Sequence, residues 1–164
     1  MKSRALLAYI FDCLTGCPSL MALVDSERGV RRVQQAERGS FDVCLCVGNA
    51  IGNPIPNFEA EALREVNVQF IAYARKDAST LTAGDLLVGD MLHWVERIFG
   101  CRQCTQNCCP PAIPWDIIVL NSRYDGSSYE ANLYEPLQAW RAADRYRFKV
   151  AYQCCRPGQP ANIR

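Results

Sequence analysis

Apolar side chains recur along this chain at two different periods. Leu6, Leu7, Ile10 and Leu14 fall at helical spacing, which predicts a helix over residues 3–15. Gly16 and Pro18 interrupt it, and residues 19–24 read as one further helical turn. Residues 27–29 read as a turn and 30–35 as a short strand. Phe41, Val43, Leu45 and Val47 then alternate with Asp42, Cys44 and Cys46, a strand with one apolar face. Residues 48–58 hold Gly48, Gly52, Pro54 and Pro56, which cannot continue a ladder, so a long loop is expected there. Val66, Val68, Phe70, Ala72 and Ala74 give the clearest strand, over 66–74. A polar connection follows over 75–80. Thr82 and Asp85 then resemble a capping box for a helix over 83–99. Its stripe is Val88, Met91, Leu92, Val95, Ile98 and Phe99, with Gly100 at the C′ position.

The last third is less regular. A Cys/Pro-rich stretch at 101–114 precedes an apolar strand over 115–121, and Asp125-Gly126 signals a turn. Residues 128–142 fit neither period. Tyr146, Phe148, Val150 and Tyr152 alternate with Arg145, Arg147, Lys149 and Ala151, a closing strand with one apolar and one basic face. The whole predicts an α+β fold, a single mostly antiparallel sheet with two helices packed on one face. The basic face of the closing strand should then point outward.

Composition narrows the function classes. At 164 residues the chain is long enough for one domain with a substantial core. Residues 1–82 carry nine basic and nine acidic side chains, and 83–164 carry nine and eight. Neither half has the positive excess that nonspecific binding to a phosphate backbone requires. A single histidine, His93, leaves no room for a His-rich metal site. Its place on an amphipathic helix favours a structural role over that of a catalytic base. No stretch approaches the about 18 consecutive apolar residues of a membrane span.

Ten cysteines are the main chemical feature, at positions 13, 17, 44, 46, 101, 104, 108, 109, 154 and 155. Cys101-x-x-Cys104 supplies the knuckle spacing of a tetrahedral thiolate zinc site, and Cys108-Cys109 could complete it. Adjacent cysteines fit one ion awkwardly, so disulfides and free thiols stand as alternatives to zinc at these four positions. A thiol enzyme using Cys104 or Cys108 would need a depressed thiol pKa. Those residues follow a helix C-terminus, whose dipole disfavours a thiolate, so no catalytic residue is assigned and no enzyme is expected. Near the N-terminus, Leu14-Thr15-Gly16-Cys17 reads like a lipoprotein cleavage box. Asp12 charges the segment that should be apolar, and a retained helix is expected instead.

The order of elements resembles a known family. A helix with Leu6, Leu7 and Ile10 leads to residues 20–24 and a short strand. Strands 41–47 and 66–74, a helix over 83–99 and closing strands to Tyr152 follow. This pattern resembles the tail terminator proteins of long-tailed bacteriophages, also called tail completion or head–tail joining proteins. Strand 66–74, its polar linker and the following amphipathic helix carry most of the resemblance. On that basis residues 1–155 form one tail-terminator-like domain, with a Cys/Pro-rich insertion at 100–114 and a loose C-terminal tail at 156–164.

The resemblance implies a structural virion protein. It would form a ring, commonly a hexamer, at the head-proximal end of the tail tube, end tube polymerisation and join the tail to the neck. Its partners would be other copies of itself, the tail tube protein and a head-completion or stopper protein. DNA would be only passing cargo in the lumen, with no membrane involved. Assembly would take place in the host cytoplasm, whose reducing conditions disfavour new disulfides. The alternatives are a cysteine-rich zinc-binding interaction module and another head–tail connector, a stopper or adaptor. Expected interface residues are Ile51, Ile55 and Phe58 in the 48–58 loop and Arg145, Arg147 and Lys149 on the closing strand. The strand is expected near the ring lumen or the subunit contact.

Overall fold

The computed structural model describes residues 2–25, 29–32, 41–48, 51–54, 63–77, 83–100 and 117–152. Helix α1 spans Lys2–Thr15 and buries Leu6, Ile10, Cys13 and Leu14, one face of a 3.6-residue period. The Gly16 N–H closes it on the Asp12 carbonyl at 2.9 Å, and Pro18 opens the short helix α2, Pro18–Met21. Helix α3, Gly84–Phe99, buries Leu87, Val88, Met91, Leu92, Val95, Ile98 and Phe99. Two expected end signals differ. The N-cap is Ala83, with no side-chain cap, and Gly100 keeps right-handed helical geometry at φ −81°. Glycine is required there for space instead, since a Cβ would stand 2.6 Å from the Glu96 carbonyl oxygen.

The sheet contains β1 (Val30–Arg32), β2 (Val43–Val47), β3 (Ile51–Pro54), β4 (Leu63–Arg75), β5 (Ile117–Tyr134) and β6 (Ala139–Tyr152). Their spatial order is β1-β2-β4-β6-β5, with β3 also paired to β4. Only β1 and β2 run parallel; every other described pairing is antiparallel. The fold is thus α+β, with one mostly antiparallel sheet and its helices on one face.

Period-2 alternation fixes the two sides. Val43, Leu45 and Val47 of β2, Val66 to Ala74 at even positions of β4, and Ala142, Tyr146, Phe148 and Val150 of β6 pack against the helices. At the centre, Phe70 stacks on Phe99 at 5.5 Å and meets Tyr146 edge-on at 5.4 Å. The Ser122 hydroxyl donates to the Phe99 carbonyl at 2.6 Å and ties β5 to the end of α3.

Three expectations are corrected. The 48–58 segment is not all loop, because Ile51–Pro54 pairs with residues 64–67 of β4. It takes the stretch of β4 beyond the last β2 pair, Val47 with Phe70, and Pro54 is tolerated as the terminal residue. Strand β2 has both faces buried, so Cys44 and Cys46 are core on the side away from the helices. Asp125-Gly126 does not end a strand; it sits in register irregularities that let β5 continue to Tyr134. Gly126 takes φ +105°, the freedom that makes such an irregularity cheap for glycine. A short 3₁₀ turn, Glu135–Leu137, then reverses the chain into β6.

Candidate interaction surface

The sheet face opposite the helices has two parts. At one end Phe41, Cys44, Cys46, Ile71, Tyr73, Ala139 and Ala143 are buried, with half-buried Tyr134 and Leu137 against them. The Cys44 and Cys46 sulfurs lie 4.0 Å apart. The hydrogen bond with Cys46, followed by burial, pushes the Cys44 thiol well above its ordinary value and keeps it protonated at neutral pH. Cys13 and Cys17 are also buried and unbridged. A thiol reagent applied to the folded protein should therefore leave peptides carrying Cys13, Cys17, Cys44 and Cys46 unlabelled, and label them once urea unfolds the chain. Peptide mass spectrometry checks this, and fast labelling of Cys44 in the native state would contradict it.

The other end of the face is polar and basic. Odd-numbered residues of β6 point there, as the alternation predicts: Arg145 is exposed, and Arg147 and Lys149 are half-buried. In the ladders Arg147 stands opposite Asn67 of β4 and Arg123 of β5, while Lys149 stands opposite Glu65 and Asn121. Arg147 donates to both flanking strands. Its guanidinium lies 2.8 Å from Glu65 and 3.0 Å from Asp125. The hydrogen bond to Asp125, then the charges of Asp125 and Glu65, hold its pKa above the ordinary arginine value. One guanidinium thus clamps β4, β6 and β5 together.

Beside the clamp an open cleft of about 350 Å³ is lined by Glu65, Asn121, Ser122, Arg123, Arg147 and Lys149. Among the described residues Arg123, Arg145 and Lys149 have no carboxylate partner. Four cations therefore face two carboxylates on this patch, and both carboxylates are already engaged by Arg147. Such a surface attracts carboxylate or phosphate groups.

The other expected site residues are placed differently. Ile51 is on β3, opposite Asn67. Ile55 and Phe58 lie outside the described residues, as do Cys101, Cys104, Cys108 and Cys109, the expected zinc ligands. Among the described residues no group of three or more His, Cys, Asp or Glu side chains is arranged to hold a metal ion. His93 is exposed on α3, edge-on to Trp94. No described helix is long and apolar enough to cross a membrane.

Sequence reading missed Arg123, Glu65 and Asp125. Local alternation carried no signal for Arg123: a register irregularity between Val119 and Asn121 leaves Val119 against the helix-side core and turns Asn121 and Arg123 to the opposite face. On the opposite face, the Ser127 hydroxyl donates to Asp144 and bonds Tyr124, each at 2.8 Å. Burial raises the Asp144 carboxyl, opposed by the Ser127 hydrogen bond and helped by Glu96 nearby. The sequence matches no known family model and no curated protein.

Proposed function

We propose that the chain is a ring-forming structural protein of the phage tail terminator kind, acting at the head-proximal end of a tail tube and joining it to the neck. The observation that carries this reading is the basic sheet face, outward and uncovered among the described residues, set on an antiparallel sheet whose other side is filled by helices. A ring needs such a split, with one layer that only stabilises the subunit and another free to meet a neighbour or face the lumen. Repeated around a ring, Arg123, Arg145 and Lys149 give a basic lining or contact in a chain with net charge of only +1. The order of the described elements supports the same reading: helix, strand β2, long strand β4, helix α3 and closing strands.

The protein would act in the virion, at the tail–neck junction, with the tail tube protein and a head-completion protein as neighbours and DNA as cargo. Electron microscopy of the purified full chain, with mass photometry of the same sample, tests the ring. Closed rings, hexameric by expectation, are the predicted result. A chain that stays monomeric at micromolar concentration and leaves tail-tube polymerisation unchanged would sink the proposal.

A further inference from the structure

We propose that the basic cleft receives helix α3 of a second copy of this chain, in a head-to-tail contact. This deepens the ring reading and rests on it for closure of the ring, though not for the contact itself. The chain's near-zero net charge conceals a polarity between its layers. The outward side of α3 exposes Asp85, Asp90 and Glu96, while Arg97 is turned over the Trp94 ring at 5.7 Å. The opposite pole of the molecule exposes Arg123 and Arg145, with Lys149 half-buried beside them.

Three features of α3 suit it to the cleft. Its acids carry no ion pair among the described residues. Leu86 is 62% exposed, the most exposed large apolar side chain described, and stands between Asp85 and Asp90 as an anchor. Gly89 follows with nothing within 4 Å of where a Cβ would be, leaving a flat place for another backbone to approach. The lengths also match. From Asp85 to Glu96 the helix advances about 16 Å, and from Arg145 to Lys149 the strand advances about 13 Å. The two surfaces lie on opposite sides of one subunit, so the contact joins different patches. A contact of that kind generates a closed ring when its rotation closes and a filament when it does not.

A charge swap tests the contact in the full-length protein. Arg145→Glu makes the sheet pole less basic, and Asp90→Arg makes the helix pole less acidic; both positions are exposed, and circular dichroism checks that each variant folds. Sedimentation velocity at low salt should show association of the native chain. Each variant alone should associate about a hundredfold more weakly, since like charges then meet across the contact. An equimolar mixture of the two should recover association, because every junction again pairs opposite charges. Arg123→Glu with Asp85→Arg should repeat the pattern. Association of the native chain should also weaken at about 1 M salt, where the screening length is about 3 Å.

Either variant associating like the native chain, or a mixture that stays dissociated, overturns the proposal. So does an Arg145→Glu variant that still associates but loses retention on a double-stranded DNA column, which would assign the face to a polyanion. Open filaments that obey the swap would support the contact and overturn ring closure.

Discussion

Phe70→Ala should cost about 3–5 kcal/mol of folding stability, the range for deleting a fully buried aromatic ring. Phe70 is 0% exposed and lies in the middle of β4, the strand that pairs with β2, β3 and β6. Its ring stacks on Phe99 from the last turn of α3 and meets Tyr146 edge-on from β6. Removing it deletes contacts between the sheet and the helix layer and leaves a void walled by two rigid rings. Those rings are held in turn, Phe99 against Phe148 at 5.3 Å and Tyr146 against Tyr124 at 5.6 Å, so the site cannot collapse cheaply. Phe70→Leu, which keeps most of the volume, should cost about 1–1.5 kcal/mol. Urea denaturation of both variants checks the pair. A loss below about 1.5 kcal/mol for the alanine variant would mean that the helices can resettle on the sheet.

Asp25→Ala should be the most damaging substitution of a half-buried polar residue, at about 2–3 kcal/mol. The Asp25 carboxylate accepts the backbone N–H groups of Asp42 and of Val43, the latter at 2.8 Å. The Asp25 N–H in turn donates to the Val43 carbonyl at 3.1 Å. One side chain just after α2 thus fixes the entry of β2, seventeen residues further along the chain. Alanine would strand two donors, one of them on buried Val43, and hydrogen bonds to a charged acceptor are the strong ones. Both N–H groups donate to the same oxygen, Oδ2, so Asp25→Asn can keep both bonds with a neutral acceptor and should lose about half as much. Thermal melts of the two variants separate these outcomes; an alanine variant as stable as the native chain would show that water replaces the carboxylate.

The two long helices and the strands around Val43, Phe70 and Phe148 were legible because each has one clean period and one clean apolar face. The fold class follows from them. The basic side of β6 was legible for the same reason, since burying Tyr146, Phe148 and Val150 leaves Arg145, Arg147 and Lys149 nowhere else to point. What escaped reading depends on neighbours distant in sequence. Cys44 and Cys46 alternate like a half-exposed strand, and nothing local shows that their cross-strand neighbours Tyr73 and Ile71, with Phe41 and Ala143, make that face a second apolar cluster. Pro54 looked like a breaker because its fault, a missing donor, is harmless only at a strand end. Asp125-Gly126 carries the chemistry of a turn, yet the same positive φ serves an irregularity inside a continuous ladder. The Arg147 clamp needs Glu65 and Asp125, separated by 60 positions in sequence, and only the β4-β6-β5 order brings them together.

The β4–β6 ladder runs through thirteen consecutive pairs, from Leu63 with Ala151 to Arg75 with Ala139, without a register shift. Its amides should be among the slowest to exchange with solvent, because opening any one of them requires parting a strand hydrogen-bonded on both edges. Arg145, Arg147 and Lys149 are mounted on that ladder rather than on a loop. Whatever docks there meets backbone already fixed, so the ordering entropy of forming the surface was spent when the subunit folded. Association then costs chiefly the rotamer freedom of a few long side chains, about 0.5–1.5 kcal/mol each. Preorganisation of this kind leaves more of any contact's energy to appear as affinity.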